Sequence, residues 1–231
     1  MMRLAVVVPV LNEGDAIEST LARMQALRAR GTRVVVVDGG SDDATVALAK
    51  PLADRVLQSS RGRAQQMNDG AQTAIESGAD VLLFLHADSA LPDAADGLIE
   101  TALRTSGGVW GRFDVRIDAE APMLKVVSAM MNWRSRLTGI CTGDQAIFVT
   151  RRAFEQLARF APIALMEDIE FSKRAKSLSW PAAIRACVTT SGRRWQRHGI
   201  GRTIVLMWRL RLAYFFGADP QRLAQRYRDA R

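Results

Sequence analysis

The stretch Val81-Leu82-Leu83-Phe84-Leu85-His86-Ala87-Asp88-Ser89 begins with five consecutive apolar residues and ends abruptly in polar ones. Such a run is typical of a strand that is covered on both faces, as in a parallel sheet. In open α/β sheets, ligands bind beyond the carboxyl ends of the strands. Asp88 is therefore well placed to hold a divalent cation against a phosphate. The alternative role for Asp88 is to cap the following turn.

The sequence on either side of this stretch alternates between strand and helix patterns. We predict strands at 4–8, 34–37 and 55–57 before the one at 81–85, with helices between them. This alternation predicts an α/β fold whose parallel sheet has right-handed crossovers. Polar residues follow the first, second and fourth strands, and we expect these residues to share one edge of the sheet.

The second half of the sequence is less regular. We predict strands near 109–117, 146–149 and 182–188, and helices near 121–137, 151–160, 167–178, from about 200, and after Pro220. Because 48% of the 231 residues are hydrophobic, the chain can build a sizeable core, and its length suits one domain covering 1–231.

The cysteine content and the hydropathy bear on the compartment. Two cysteines, Cys141 and Cys187, form no disulfide framework and no zinc-binding spacing, so we expect a reducing cytoplasm. We see no secretory signal pattern, and no apolar run reaches the roughly 18–20 residues that a bilayer span requires.

The net charge of +8 is concentrated near the C-terminus. From Arg185 onward there are eleven arginines against two aspartates and no glutamate. Such a segment suits an anionic membrane surface, a diphosphate or nucleic acid. We expect no nucleic-acid partner, because no helix-turn-helix, zinc-finger or RNA-binding signature is present.

The segment 200–217 places four aromatic residues beside Arg202, Arg209 and Arg211. Arg211 lies about 160° from Arg209 around a helix, so the charges do not form one polar face. This favours a core helix with arginines reaching outward over a purely interfacial helix. The alternative is a helix that rests on the inner face of the membrane and brings the site to a lipid-linked or otherwise amphipathic acceptor.

The first two strands end in motifs that differ from nucleotide-binding glycine loops. Pro9-Val10-Leu11-Asn12-Glu13 is not Gly-x-Gly-x-x-Gly, which disfavours a dinucleotide fold, and its alternative role is a helix-start turn. Asp38 can accept hydrogen bonds from a nucleobase or ribose, whereas Asp42 and Asp43 are better explained as helix caps.

Two basic motifs are candidate anion sites. In Arg61-Gly62-Arg63, glycine allows close backbone approach and the arginines supply donors, although a solvated loop is the alternative. Arg193-Arg194-Trp195 can clamp a diphosphate with the tryptophan beside it, and the alternative is a basic surface.

The acidic cluster at 166–171 contains a candidate general base. Asp168 can take a proton from an incoming hydroxyl if it lies within hydrogen-bonding reach. Three acids at a helix N-terminus also interact favourably with the helix dipole, which is the alternative explanation. His86 and His198 each have an ordinary alternative as hydrogen-bonded polar side chains.

The order of these motifs, together with Gly143-Asp144-Gln145, resembles family 2 glycosyltransferases of the GT-A fold over nearly the whole chain. Arg61-Gly62-Arg63-Ala64 and Gln66-Met67-Asn68 are similar to a small bacterial subgroup associated with selenium or radical-SAM proteins. Two positions depart from the family pattern. His86 stands first in the usual Asp-x-Asp motif, and 191–195 lacks the glutamine of Gln-x-x-Arg-Trp.

The resemblance implies inverting transfer of a sugar from a nucleoside-diphosphate sugar to a hydroxyl acceptor, with Mg²⁺ or Mn²⁺. It implies a nucleotide-binding half at 1–90, an acceptor and catalytic half at 91–199, and basic C-terminal helices at 200–231. It assigns the metal to Asp88 and the base to Asp168. The donor would contact Pro9, Glu13, Asp38, Arg61, Arg63, His86, Arg193 and Arg194. Four further residues would contact the acceptor or support the residues that do: Asp144, Gln145, Glu167 and Trp195.

Two other functions compete with this one. A nucleotidyltransferase should carry a glycine-rich, arginine-containing loop directly after the first strand, and 9–13 is not such a loop. A non-catalytic membrane-surface module accounts for the basic C-terminal segment but leaves Asp38, Asp88 and Asp168 without a role. Because 191–195 lacks the glutamine of the Gln-x-x-Arg-Trp motif of processive enzymes, and because the sequence encodes no membrane channel, we expect a single-transfer glycosyltransferase rather than a polymer synthase.

Overall fold

A computed structural model of the protein describes residues 2–193, 195 and 199–229. Its strands are β1 Leu4–Val10, β2 Arg33–Asp38, β3 Arg55–Gln58, β4 Val81–Phe84, β5 Ser89–Ala90, β6 Trp110–Asp118, β7 Phe148–Thr150 and β8 Ala182–Ser191. Its helices are α1 Gly14–Arg23, α2 Gln25–Ala29, α3 Thr45–Ala49, α4 Arg63–Glu76, α5 Ala95–Ser106, α6 Pro122–Thr138, α7 Arg151–Gln156, α8 Glu167–Ala175, α9 Ile200–Phe215 and α10 Pro220–Asp229. A 3-10 helix spans Gly143–Gln145.

The eight strands form one sheet in the order β3-β2-β1-β4-β7-β6-β8-β5. The parallel pairing predicted for the first four strands is confirmed, because β1 pairs in parallel with β2 and β4, and β2 pairs in parallel with β3. Val10 lies beside Asp38 in the register of β1 and β2. The polar segments that follow these strands therefore meet at one edge of the sheet.

Helices cover both faces of this parallel half. Ile17 and Leu21 of α1 are fully buried in the core on one face, and Ala71 and Ala74 of α4 are fully buried on the other. Gly70 of α4 is required by close packing, because a Cβ there would lie 2.5 Å from Val7 Cγ1 and 2.7 Å from Val37 Cγ2. Burial on both faces explains the continuous apolar runs in the strands.

The second half makes the sheet mixed. Strand β7 is antiparallel to both β4 and β6, while β8 is parallel to β6 with a register shift between Phe113 and Asp114. The sequence did not predict β5, since two residues cannot show a periodicity. Strand β5 pairs antiparallel with Thr189 and Thr190 of β8. This pairing brings the end of β8 beside Asp88.

The helix predicted over 151–160 ends earlier, at Gln156. Ala158 and Arg159 adopt positive φ values of 53° and 68°, which turn the chain away from the helix. The turn delivers Phe160 into an aromatic cluster, with its ring centroid 4.8 Å from that of Phe84. Asn68 holds the turn, because its side chain bonds both the N–H and the carbonyl of Phe160.

The C-terminal helices α9 and α10 pack together over α8. Met166, Ile169, Leu210 and Leu223 form a small apolar cluster between them. Among the helices that the structure describes, none combines the length and the hydrophobicity that a membrane span requires.

Candidate active site

A cleft of about 920 Å³ opens at the carboxyl ends of β1 and β4. Nine of the side chains predicted for the site line it: Pro9, Glu13, Arg61, Arg63, His86, Asp88, Asp144, Glu167 and Trp195. The opposite side consists of α6, α9 and α10, and we call the cleft residues of these three helices the helical wall. The sheet thus supplies the polar side of the cleft and the helices supply the other.

The turn after β1 is fixed by hydrogen bonds to the loop after β2. Asn12 adopts a left-handed φ of 53°, its N–H donates to Ser41 Oγ at 2.8 Å, and its Oδ1 accepts from the Asp42 N–H at 3.0 Å. The Glu13 N–H donates to Thr45 Oγ1 at 2.8 Å. These bonds hold Glu13 at the mouth of the cleft.

Asp43 acts in the capping role that the sequence suggested. Its carboxylate accepts from the N–H groups of Thr45 and Gly14, at the starts of α3 and α1. These hydrogen bonds lower the pKa of Asp43, the bond from the Thr45 hydroxyl having the largest effect.

Asp38 is buried, and its carboxylate accepts hydrogen bonds from the N–H groups of Gly40 and Ser41 and from the Ser41 hydroxyl. Beneath it, the buried side chain of Gln66 donates to the carbonyl oxygens of Val10 and Val37, each at 2.8 Å. Gln66 therefore joins α4 to the ends of β1 and β2. The motif at 66–68 does not predict this contact, and the position of Gln66 within the buried stripe of α4 is the signal that indicates it.

Arg61 and Arg63 lie at the start of α4, where Gly62 has a φ of 151° that favours glycine. Arg63 Nη1 is 4.0 Å from Glu167 Oε1. Glu167 is only 5% exposed. Burial raises the pKa of the Glu167 carboxyl, and the adjacent Asp168 charge raises it further. The structure thus brings the basic loop and the acidic cluster together across the base of the cleft.

Asp168 lies in a small cavity of about 10 Å³ that shares Pro9, Arg63 and His86 with the cleft. Its Oδ2 accepts from the Gly143 N–H at 2.9 Å. A Cβ at Gly143 would lie 2.5 Å from His86 Nε2, so only glycine allows the imidazole this position. This contact connects Asp168 with the histidine after β4.

His86 is 16% exposed at its side chain, and its Nδ1 lies 3.2 Å from Asp144 Oδ1. Gln145, the next residue in the 3-10 helix, is fully buried. Its Oε1 accepts from the Thr142 N–H, and its amide nitrogen lies 3.4 Å from Asn132 Oδ1. Gln145 therefore supports the 3-10 helix, while Asp144 faces the cleft.

Asp88 is half-buried beyond the end of β4. Its Oδ1 accepts a long hydrogen bond of 3.4 Å from Ser89 Oγ, and its carbonyl accepts from the Ser191 N–H at 3.2 Å. Ser191 Oγ in turn accepts from the N–H of the exposed Arg193. Arg194 and His198 lie outside the described residues.

A protein-only metal site is absent from the described residues, because no three His, Cys, Asp or Glu side chains converge on one point. Mg²⁺ at phosphate-processing sites needs fewer protein ligands, since one or two carboxylates are joined in its coordination shell by substrate phosphate oxygens and water. Asp88 fits this arrangement, because it lines the same cleft as Arg61 and Arg63, the candidate diphosphate contacts.

Comparison with known proteins identifies the family. A sequence model described as "Glycosyl transferase family 2" matches residues 5–157. The chain belongs to this family. A succinoglycan biosynthesis protein, ExoA, from Rhizobium meliloti (strain 1021) is 34% identical over 108 residues, which cover 43% of this chain and 32% of ExoA. The chain therefore matches about a third of this relative's length.

Solved structures of glycosyltransferases share the fold. The mannosyltransferase PcManGT from Pyrobaculum calidifontis, in complex with GDP-Man and Mn²⁺, has a TM-score of 0.63 at 22% identity, over 91% of this chain and 61% of that one. S. aureus TarS 1–349 in complex with UDP-GlcNAc has a TM-score of 0.64 at 16% identity, over 82% of this chain and 58% of that one. The predicted GT-A fold is confirmed, whereas the subgroup suggested by 61–68 stays a prediction.

Proposed function

We propose that the protein transfers a sugar from a nucleoside-diphosphate sugar to a hydroxyl acceptor, with inversion at the sugar carbon. The observation that carries this proposal is the convergence of Glu13, Arg61, Arg63 and Asp88 on one cleft beyond the parallel strands. Carboxylates and arginines arranged in this way suit a donor that bears both a ribose and a diphosphate. The family and the nucleotide-sugar complexes of PcManGT and TarS support the same donor class.

In this mechanism, the acceptor hydroxyl attacks the anomeric carbon from the side opposite the diphosphate. Asp168 takes the hydroxyl proton as the new carbon–oxygen bond forms and the bond to the diphosphate breaks. Arg61 and Arg63 hold the departing diphosphate by charge-assisted hydrogen bonds. The Gly143 N–H orients the Asp168 carboxylate, and Glu167 orients the guanidinium of Arg63.

Asp88 would hold Mg²⁺ or Mn²⁺ against the diphosphate. When bound, the cation neutralises charge that develops on the leaving group. The Mn²⁺ in the PcManGT complex supports a divalent cation for this chain, without deciding between the two metals.

A donor screen tests the proposal. We expect Mn²⁺ with a matching UDP- or GDP-sugar to raise the melting temperature, because these ligands bind only the folded state. Addition of an acceptor should then release the nucleoside diphosphate.

Asp88→Ala should abolish metal-dependent donor binding and keep the fold. Asp93→Ala is the control, since Asp93 is an exposed carboxylate nearby. Undiminished binding by Asp88→Ala would reject the metal role, and release of pyrophosphate would indicate nucleotidyl transfer instead.

The proposal includes contact between α9 and an anionic membrane surface, where a lipid-linked acceptor would be found. Phe215 and Phe216 are strongly exposed at the end of this helix, which also carries Arg202 and Arg209. We expect the protein to float with anionic vesicles at low salt and not with neutral ones, because salt screens the arginine contribution. Absence of flotation with anionic vesicles would favour an acceptor in solution.

A further inference from the structure

Arg134 of α6 contributes an unusual group to the helical wall. Its Nη1 donates to the Ile140 carbonyl at 3.3 Å, while its Nη2 is buried and has no hydrogen-bond partner in the part of the chain that the structure describes. A charged donor that is buried without an acceptor is strongly unfavourable. A ligand in the cleft, which Arg134 lines, can supply the missing acceptor.

A second arginine, Arg211 of α9, lines the same wall. Burial, and after it the charge of Arg211, lowers the pKa of Arg134 to about 10. Within the described residues, no ion pair joins either arginine to a carboxylate. Two guanidinium groups that repel each other at one wall form a site that an anion would neutralise.

Apart from Thr203, the other side chains that α6 and α9 contribute to the helical wall are apolar. The helical wall also contains Val127, Met130, Met131, Ile204 and Met207. Trp133 and Trp208 line the cleft as well and are each 65% exposed. Exposed apolar surface of this kind marks a site for an apolar partner.

We propose that Arg134 and Arg211 bind a phosphate group of the acceptor, and that the surrounding apolar side chains of α6 and α9 bind its hydrocarbon part. This proposal rests on the proposed function, because it names the acceptor class of the same cleft. The acceptor is then a phosphorylated amphiphile that carries a separate hydroxyl as the nucleophile.

The position of the pair suits this role. Arg134 and Arg211 line the cleft on the side of α6 and α9, and the small cavity that contains Asp168 shares Pro9, Arg63 and His86 with that cleft. The basic residues assigned to the donor, Arg61 and Arg63, belong to the loop before α4 and its first turn on the sheet side of the cleft. The cleft would thus hold two anionic groups on opposite sides, with Asp168 at its base.

Binding of octyl phosphate below its micelle concentration tests the proposal without donor or metal. We expect it to bind at least tenfold more tightly than octanol, which lacks the anion, and than inorganic phosphate, which lacks the chain. Each of Arg134→Gln and Arg211→Gln should weaken binding about tenfold or more, the scale of a lost charge-assisted hydrogen bond. Arg134→Lys should retain part of the affinity, because it keeps the charge and loses the guanidinium geometry.

Lys125→Gln is the matched control. It removes one positive charge from α6, the helix that carries Arg134, at an exposed position outside the cleft lining, so its affinity for octyl phosphate should match the parent protein. Melting temperatures show whether each variant is folded. An equal loss in Lys125→Gln, or equal affinity for octanol and octyl phosphate, would overturn the anion site. Equal affinity for inorganic and octyl phosphate would overturn the apolar part.

Binding of UDP and GDP with Mn²⁺ separates this inference from the proposed function. We expect Arg134→Gln and Arg211→Gln to bind the matching nucleotide normally. A loss of nucleotide affinity equal to the loss for octyl phosphate would assign both arginines to the donor and overturn the inference. If the parent protein binds octyl phosphate and neither nucleotide, the donor proposal fails while the anion site stands.

Discussion

The two sides of the cleft use apolar residues in opposite ways. In the sheet side, the apolar residues of β1, β2 and β4 are buried, and polar residues follow at the strand ends. In the helical wall, large apolar residues such as Met130 of α6 and Trp208 of α9 are exposed instead. The apolar residues of the sheet side are therefore buried in the protein core, whereas those of the helical wall form an exposed apolar surface on which a partner could bind.

Replacing the candidate base, Asp168, has the largest expected effect, because it should lower the rate of sugar transfer without changing nucleotide binding. Asp168→Asn should bind nucleotide normally, because donor contacts belong to the sheet side, yet lose transfer by about a hundredfold to ten-thousandfold. Single-turnover rates with nucleotide affinities measure the two functions separately. Transfer close to that of the parent protein would assign Asp168 to holding Gly143 and α8.

Two leucine-to-alanine substitutions, one in the sheet and one in α9, compare how much each region contributes to the free energy of unfolding. Leu83→Ala in β4 removes a fully buried side chain and should cost about 2–5 kcal/mol of unfolding free energy. Leu212→Ala in α9 removes a side chain that is 59% exposed and should change that free energy by no more than about 0.5 kcal/mol.

Urea denaturation of both variants gives these values. A large loss in Leu212→Ala would mean that α9 is covered by other parts of the protein in solution, for example by a second copy.

The smallest expected effect concerns Glu167, which lies between the two regions. Its raised pKa means that the folded state holds the carboxyl proton more tightly than the unfolded chain does. The resulting stabilisation is complete below the unfolded value of about 4.3 and is lost as the pH rises through the folded-state pKa. Glu167→Gln stays neutral, so its melting temperature relative to the parent protein should rise between pH 5 and pH 8.

Glu170→Gln is the control for this pH series. Glu170 lies on the same helix and forms an ion pair with Arg174 at 2.6 Å, so its replacement should not stabilise the protein as the pH rises. A constant difference between Glu167→Gln and the parent protein would show that Glu167 is ionised throughout and stabilised by Arg63.

The sheet side could be predicted from the sequence because its signals are local. Each strand is a short apolar run, and the candidate site residues Glu13, Asp38 and Asp88 lie at or shortly after the end of a strand. Parallel pairing then brings the ends of β1, β2 and β4 together. Glu167 and Asp168 were predicted as a cluster, but their proximity to Arg63 and His86 depends on packing between distant segments.

The helical wall could not be predicted in the same way. Arg134 lies in a helix whose pattern indicates only an amphipathic segment, and its missing partner is visible only when Ile140 and Arg211 are in place. Likewise, β5 is too short to leave a pattern, and Gln66 is a polar residue in an otherwise small and apolar stripe. These roles arise from contacts between segments that are far apart in the chain.

The pairing of β5 with β8 joins residues that are synthesised far apart in time, so it can form only late in synthesis. Strands β1 to β4 can pair as soon as they leave the ribosome, but Ser89 pairs with Thr190, which is added about 100 residues and roughly 5–20 s later. The loop that carries Asp88 acquires its backbone partner Ser191 only at that time. The parallel pairs among β1 to β4 therefore involve only residues made early, whereas the backbone of the Asp88 loop is completed by the last strand of the sheet to be synthesised.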